Sequence, residues 1–215
     1  MIPAAVAVCP QAPGLVPAVG QGVAEELADV RAACAAALAS VLATNPDYVL
    51  VIADGGQGWD ESAGGSFRGF GPDVRAGGPD LVLSAGLTVG AWLLDAAGWS
   101  GRRTYASRLD VAEPGEHFVA LVMADGSARH RMLAPEWTDV EGRAFDASIA
   151  QALADGDASA LASLDVRAAK EFHASGIEGL IEVGEQCEGA HIDAHLRYDG
   201  APFDVGYWVA DWLLA

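Results

Sequence analysis

The sequence predicts an α/β protein, in which a single domain over residues 1–215 builds a central mixed β-sheet flanked by helices on both faces. Two observations carry this prediction. Short, wholly apolar runs, such as YVLVIA (48–53) and FVALVM (118–123), are typical of strands buried on both faces. They alternate with longer stretches of helical periodicity, and 215 residues with 52% hydrophobic content suffice for one large core.

The chain opens with a strand, a helix and a second strand. Residues 2–8 are apolar and are followed by two prolines, which end the strand. Residues 22–45 are rich in Ala, Leu and Glu, and their apolar residues recur at helical spacing. This helix ends at Asn45, because the residue before a proline avoids the α conformation. With the strand at 48–53, the order is that of a right-handed βαβ unit.

Residues 54–80 differ in composition from the rest of the chain, since nine of them are glycines and few are aliphatic. This composition predicts a long loop, either functional or disordered. The segment lacks the GxxxxGK[ST] pattern of a phosphate-binding loop, so nucleotide binding is not expected.

The remaining elements are predicted from the same hydrophobic periodicity and from the glycines and prolines that end helices and strands. We predict strands at 81–83, 104–109 and 118–123, helices at 88–97, 141–154, 159–164, 166–175 and 178–188, an edge strand at 191–198, and a strand or short helix at 205–213. Asp199-Gly200 is a hairpin signal between the last two elements.

The formal net charge of −18 excludes several classes of partner. A surface this acidic repels nucleic-acid phosphates and anionic lipids, so neither a nucleic acid nor a membrane is expected as a partner. The N-terminus lacks the basic start of a signal peptide. The three cysteines form no CxxC pair, which indicates buried or free thiols in a reducing compartment and predicts a cytoplasmic location.

Four polar residues, Asp125, Ser127, Arg129 and His130, follow the apolar strand at 118–123 and are delivered together at its end. Arg129 could clamp a carboxylate through two hydrogen bonds, and His130 could act as a general acid or base. The alternative is a tight turn in which Asp125 bonds to the backbone and Arg129 forms an ion pair.

Two further sets of side chains are candidates for a cation site. Asp54 and Asp60 flank the glycine-rich segment and could hold Mg²⁺ or Ca²⁺; otherwise, they form an Asx-turn and a solvated carboxylate. His191, Asp193 and His195 alternate along a predicted strand and therefore share one face. That face could bind a divalent metal, or it is the solvent face of an edge strand.

Four stretches, taken together, carry a family resemblance. They are VCPQAPGLVPAVG near the N-terminus, the helix beginning ELADVRAAC with the strand after it, ADGSARH (124–130) followed by FDASIAQALADGD, and YDGAPFDVGYWVADW (198–212). In their order and spacing they resemble the LigB-like superfamily, which comprises the catalytic chains of class III extradiol ring-cleavage dioxygenases and their relatives, in an actinobacterial-type branch. The resemblance implies a mixed sheet flanked by helices, with an active cleft at the ends of the strands.

In the true dioxygenases of that superfamily, two histidines and one carboxylate hold Fe(II), and a further histidine carries acid–base chemistry on a catechol-type substrate. The position of the first histidine is Gln11 in this chain, and no histidine occurs at 54–60, where the second belongs. A neutral amide oxygen is a poor Fe(II) ligand beside imidazole. We therefore predict an extradiol dioxygenase-like protein with a degenerate cleft that holds no iron and no other cofactor.

The leading hypothesis is thus a cleft of altered chemistry that binds a small molecule. Its predicted catalytic residues are His130 and Asp125, and its predicted ligand-binding residues are Gln11, Asp54, Ser127 and Arg129, with no metal ligand. The alternatives are a working enzyme of the superfamily, by ring cleavage or other metal-assisted chemistry, and a non-catalytic scaffolding domain. The related enzymes are often dimers or larger, so the resemblance also implies a homodimer, whose interface the aromatic C-terminal segment would suit.

Overall fold

The α/β prediction is confirmed by the computed structural model, which describes residues 1–22, 25–112, 115–128 and 138–215, with side chains from 140 onward in the last range. Its helices are α1 (Ala28–Leu42), α2 (Ala85–Ala96), α3 (Thr138–Asp155), α4 (Ala158–Ala162), α5 (Val166–Glu171) and α6 (Ile177–Cys187). Its strands are β1 (Ala5–Cys9), β2 (Tyr48–Ile52), β3 (Gln57–Trp59), β4 (Ala63–Ser66), β5 (Arg75–Gly77), β6 (Asp80–Leu81), β7 (Arg102–Ala106), β8 (Phe118–Met123), β9 (Ile192–Gly200) and β10 (Tyr207–Leu214).

The main sheet of the described chain has seven strands in the order β3-β7-β2-β8-β1-β10-β9. β7, β2, β8 and β1 run parallel, whereas β3, β10 and β9 are antiparallel to their neighbours. β8 pairs with both β1 and β2, so the first two strands are not neighbours although α1 joins them. Because the four parallel strands end at one edge of the sheet, the residues that follow them are brought together there.

The three central parallel strands, β2, β8 and β1, are buried on both faces, which explains why their sequences are continuously apolar. Successive strand residues point to opposite faces. Ala5, Ala7 and Cys9 lie in a core with residues of α1 and α2, whereas Val6 and Val8 lie in a second core with residues of α3 to α6.

The aromatic C-terminal strand lies inside the molecule. Trp208 and Trp212 are 0% and 1% exposed and pack in the second core. The Trp212 indole N–H donates a hydrogen bond to the Leu153 carbonyl at 2.8 Å. These two rings therefore cannot supply the dimer interface expected of the aromatic C-terminus, because the core has already buried them.

The glycine-rich segment 54–80 is not the long loop that its composition predicts. It contains β3, at the edge of the main sheet, and then β4, β5 and β6, which form a separate three-stranded sheet. Glycine permits close contacts here because it has no side chain. A Cβ on Gly64 would lie 1.9 Å from the Gly78 carbonyl oxygen within the small sheet, and one on Gly65 would lie 1.9 Å from Thr88 Oγ1 of α2. The expected loop is therefore wrong because glycine here serves packing rather than chain freedom.

The other elements lie near their predicted positions, but several bounds differ. α1 begins at Ala28 rather than at residue 22, the strand predicted at 104–109 is β7 (Arg102–Ala106), and the helix predicted at 166–175 ends at Glu171. The last element is a strand, which is one of the two predicted alternatives. Asp199 and Gly200 belong to β9, so the chain turns only at 201–206. β9 is the edge strand, as predicted, and the three cysteines are buried free thiols. Within the described ranges, no helix is both long enough and apolar enough to cross a membrane.

Candidate functional site

The polar residues of interest lie where the parallel strands end. Gln11 follows β1, Asp54 follows β2 and Asp125 follows β8, each within two residues of the last strand residue. β8 is the central strand of these three, so Asp125 is the middle residue of the row. This is the edge at which open α/β sheets bind their ligands.

Three side chains form what we term the strand-end cluster: Gln11, Asp125 and Ser175. The Gln11 backbone N–H donates to Asp125 Oδ1 at 3.1 Å, and Gln11 Nε2 donates to Ser175 Oγ at 2.7 Å. All three residues are half-buried, so their polar atoms are held by neighbours but keep contact with solvent. The cluster combines an amide, a hydroxyl and a carboxyl group.

Backbone pairing fixes the geometry of this cluster. Asp125 and Ser175 form an antiparallel bridge, in which each backbone N–H donates to the carbonyl of the other at 3.0 Å. Gly176 then adopts φ 74° at the start of α6, and a Cβ there would lie 2.2 Å from the Met123 carbonyl oxygen. A side chain at 176 would push Ser175 away from the strand, so glycine is what allows the close approach.

Asp125 has the perturbed acidity that is expected of an acid–base group. Burial raises the pKa of its carboxyl to about 7, against a smaller lowering by the Gln11 N–H bond. Tyr207 belongs to the same surroundings, since burial and then the charge of Asp125 raise the pKa of its hydroxyl to about 12. At neutral pH, Asp125 therefore exists in both protonated and ionised forms, and either form meets a neutral Tyr207.

Asp54 is at the predicted edge, but its side chain is not part of the cluster. The residue is exposed, and its backbone carbonyl accepts a hydrogen bond from Ser84 Oγ at 2.7 Å. Ser84 is the N-cap of α2, whose first turn reaches Gln11: a Cβ on Gly86 would lie 2.3 Å from Gln11 Oε1. The N-terminus of α2 thus forms one wall beside the Gln11 amide.

Ser127 is fully buried, so the prediction that it contacts a ligand has no exposed surface to support it. Its backbone N–H donates to Asp146 Oδ1 at 2.8 Å, and its carbonyl accepts from the Gly206 N–H at 3.0 Å. The Gly126 N–H donates in turn to the Gly206 carbonyl at 2.7 Å. Because Ser175 and Gly206 pair with the backbone of 125–127, the chain makes no tight turn there, whereas the alternative's bond from the Asp125 side chain to the backbone is present, to the Gln11 N–H. The Arg129 ion pair of that alternative lies outside the described residues.

Two predicted site residues, Arg129 and His130, lie outside the described residues, and their roles stay predictions. Ser175 is a member of the cluster that the sequence did not suggest. It lies 50 positions after Asp125, in the connection between α5 and α6, and it reaches the site only through the bridge. The one local signal for it is the following glycine, which is also an ordinary signal for the end of a helix.

Iron does not fit the donor set of the described residues. Gln11 Nε2 donates a hydrogen bond to Ser175, and Asp125 is the only residue of the cluster with a carboxylate. His117 is not at the carboxyl edge of the sheet, because it directly precedes β8, and its Nε2 lies 3.1 Å from the Thr44 carbonyl. Across the ranges that the structure describes, no three His, Cys, Asp or Glu side chains come close enough to hold a metal ion. We therefore derive no chemistry through Fe(II).

The side chains of the two other candidate cation sites contact neighbouring protein groups. Asp60 Oδ1 accepts from both the backbone N–H and the hydroxyl of Ser62, at 2.9 and 2.6 Å, and these bonds lower the pKa of its carboxyl. Asp193 and His195 share the exposed face of β9, as the alternation predicts, and His191, which is also exposed, directly precedes the strand. His195 Nδ1 lies 3.6 Å from Asp211 Oδ2, a carboxylate that Arg197 binds through two nitrogens.

Comparison with known proteins does not assign the chain to a family. No protein-family model matches the chain, and no curated protein is significantly similar to it. The resemblance to extradiol dioxygenases therefore rests on the four quoted stretches.

Proposed function

We propose that the protein is an extradiol dioxygenase-like protein whose iron-free cleft binds a small molecule at the carboxyl edge of the sheet. The observation that carries this proposal is the strand-end cluster, in which Gln11, Ser175 and Asp125 bring three kinds of hydrogen-bonding group together. All three residues are half-buried, so their neighbours hold each group in place while part of the residue keeps contact with solvent.

The chemistry of the cluster favours a neutral, hydroxyl-bearing ligand. A carboxyl group whose pKa is near 7 both donates and accepts hydrogen bonds at neutral pH. Gln11 and Ser175 add an amide and a hydroxyl, which complement hydroxyl and carbonyl groups. A multiply charged anion is disfavoured, because a protein with a formal charge of −18 repels it at long range. Catechol-type compounds, which the resemblance implies, satisfy these conditions.

A second candidate function is metal-free acid–base catalysis by Asp125. The specific observation in its favour is the raised pKa, because a general base works best when its pKa is near the ambient pH. This function requires a substrate with a transferable proton within hydrogen-bond distance of Asp125 Oδ2. It shares the binding site of the first proposal and differs from it only in turnover.

Titration with catechol tests the proposed binding. We expect catechol to bind the purified protein, and Asp125→Asn to weaken binding about tenfold, which is the loss of one hydrogen bond to a titrating group. Asp73→Asn is the matched control, since the Asp73 side chain is exposed and remote in sequence from every member of the cluster. Calorimetry measures both affinities, and an oxygen electrode records whether catechol is consumed.

Metal analysis of the same protein separates the alternatives. Stoichiometric iron, or oxygen uptake with catechol, contradicts an iron-free cleft and favours a working dioxygenase. Equal affinities for the wild type and both variants remove Asp125 from the site. Absence of any heat or thermal shift with catechol argues against ligand binding and favours a scaffolding role.

A further inference from the structure

β9 is the outer strand of the main sheet, and among the described strands only β10 pairs with it. The Ala215 N–H donates to the His191 carbonyl at 3.1 Å, in register with the β9–β10 ladder. Because backbone groups of an antiparallel strand alternate in direction, Asp193 and His195 also bond toward β10. The N–H and C=O groups of Ile192, Ala194 and Leu196 therefore point outward from the sheet, ready to pair with another strand.

We propose that β9 pairs antiparallel with β9 of a second copy of this chain, on a two-fold axis at His195, so that two seven-stranded sheets become one. In this register, Ala194 of one copy lies opposite Leu196 of the other, and the outward backbone groups of these two residues bond to each other. On the opposite face of the sheet, Asp193 lies opposite Arg197, and the pair occurs twice by symmetry. The interface thus joins backbone, apolar and charged contacts.

Charge complementarity favours this register over those centred on Asp193, Leu196 and Arg197. An axis at Asp193 would place two aspartates directly opposite each other, and an axis at Arg197 would do the same with two arginines. An axis at Leu196 would oppose Asp193 to Asp199. Like charges directly opposite each other destabilise a sheet, whereas opposite charges stabilise it. Among these centres, the one at His195 opposes unlike charges.

Asp193 and Arg197 both have the exposure or the hydrogen-bonding capacity that the proposed ion pair requires. The Asp193 side chain is 69% exposed, and the ion pairs described for it extend only to His195, 3.9 Å away. Arg197 is the extra residue of a bulge, since Leu196 pairs with Ala210 and Tyr198 pairs with Val209. Its guanidinium is held by Asp211, which is 0% exposed, and a guanidinium has five N–H donors. Donors thus remain for a carboxylate that approaches from the open edge.

The oligomeric state of charge-reversal variants tests the interface. At 150 mM salt, light scattering on the eluting wild-type protein should give the mass of two 22.1 kDa chains. Asp193→Arg should weaken dimerisation about a hundredfold, because it opposes two arginine pairs. Glu171→Arg makes the same change of charge at an exposed position at the end of α5 and should leave the dimer intact. A monomeric wild type, or a dimer that survives Asp193→Arg, overturns the proposal.

A cysteine at the axis tests the register independently of charge. Residues directly opposite in a pair without backbone hydrogen bonds have Cα atoms about 4.5 Å apart, within the range of a disulfide. His195→Cys should therefore form a covalent dimer under mild oxidation, seen on a non-reducing gel. The native cysteines are buried and do not compete, and Glu188→Cys, far from the axis, should stay monomeric on the gel. Equal cross-linking of the two variants contradicts the register.

Discussion

Asp125 combines a structural role with an accessible, titrating carboxyl group. Its backbone is locked to Ser175 by two hydrogen bonds, and its Oδ1 accepts from the Gln11 N–H. One backbone donor is too little to offset the loss of water, so the net effect of burial is a pKa near 7. The fold therefore tolerates an unfavourable group at the carboxyl edge of the sheet, and a strongly perturbed pKa is common at functional sites.

The raised pKa makes stability depend on pH with a definite sign. Between about pH 4, where the carboxyl of an unfolded chain ionises, and pH 7, the folded state keeps a proton that the unfolded state loses. The free energy of unfolding should therefore fall as pH rises through this window and level off above it. Asp125→Asn removes this dependence and keeps an acceptor for Gln11. At pH 8 we expect the variant to be about 2 kcal/mol more stable, since a full shift is worth about 4 kcal/mol and partial exposure reduces it.

Urea denaturation of both proteins at pH 5, 6, 7 and 8 measures this effect. The difference in unfolding free energy between variant and wild type should grow with pH. A difference that is constant across the series would show that Asp125 titrates normally in the folded protein.

Secondary structure was predictable where side chains carry the signal. β2 and β8 lie at their predicted positions because each is an unbroken apolar run. β4 and β5 were missed because glycine gives no alternation to detect, and only the tertiary contacts of Gly64 and Gly65 reveal the strands. The same distinction holds for the site: Gln11 and Asp125 follow obvious strands, whereas Ser175 reaches them through a long-range bridge.

Two glycines of the segment 54–80 should respond differently to an added methyl group. In β4, Gly64→Ala would place its Cβ 1.9 Å from the Gly78 carbonyl oxygen, so the small sheet must separate. We expect a loss of about 2 kcal/mol in unfolding free energy, in the range of overpacking substitutions. Gly69→Ala meets no atom within 4 Å and should change stability by less than about 0.5 kcal/mol.

Chemical denaturation of the two glycine variants, monitored by tryptophan fluorescence, provides the measurement. Trp59, in β3 of the same segment, is one of the six tryptophans that contribute to this signal. Equal stabilities would mean that the small sheet does not pack as closely as its backbone contacts require.

At the scale of the whole molecule, an apolar interior is enclosed by a strongly acidic surface. Both faces of the sheet are covered, and the 30 acidic residues outnumber the 12 basic ones, so repulsion opposes the compact state. Cations and salt relieve this repulsion, both within one chain and between two copies that approach each other. Association and stability are therefore expected to respond to ionic strength together.

Salt should stabilise this protein more than a neutral one of the same size. From 10 to 150 mM NaCl the Debye length falls from about 30 to about 8 Å, which screens repulsion between distant carboxylates but little of the contact between Arg197 and buried Asp211. We expect the unfolding free energy at pH 8 to rise by about 1 kcal/mol over this range.

At pH 5, closer to the sequence pI of about 4.3, fewer carboxylates are ionised and the rise should be smaller. Thermal unfolding at the two pH values checks this, and a salt effect that is equal at both, or that destabilises at pH 8, would mean that local ion pairs outweigh the net charge.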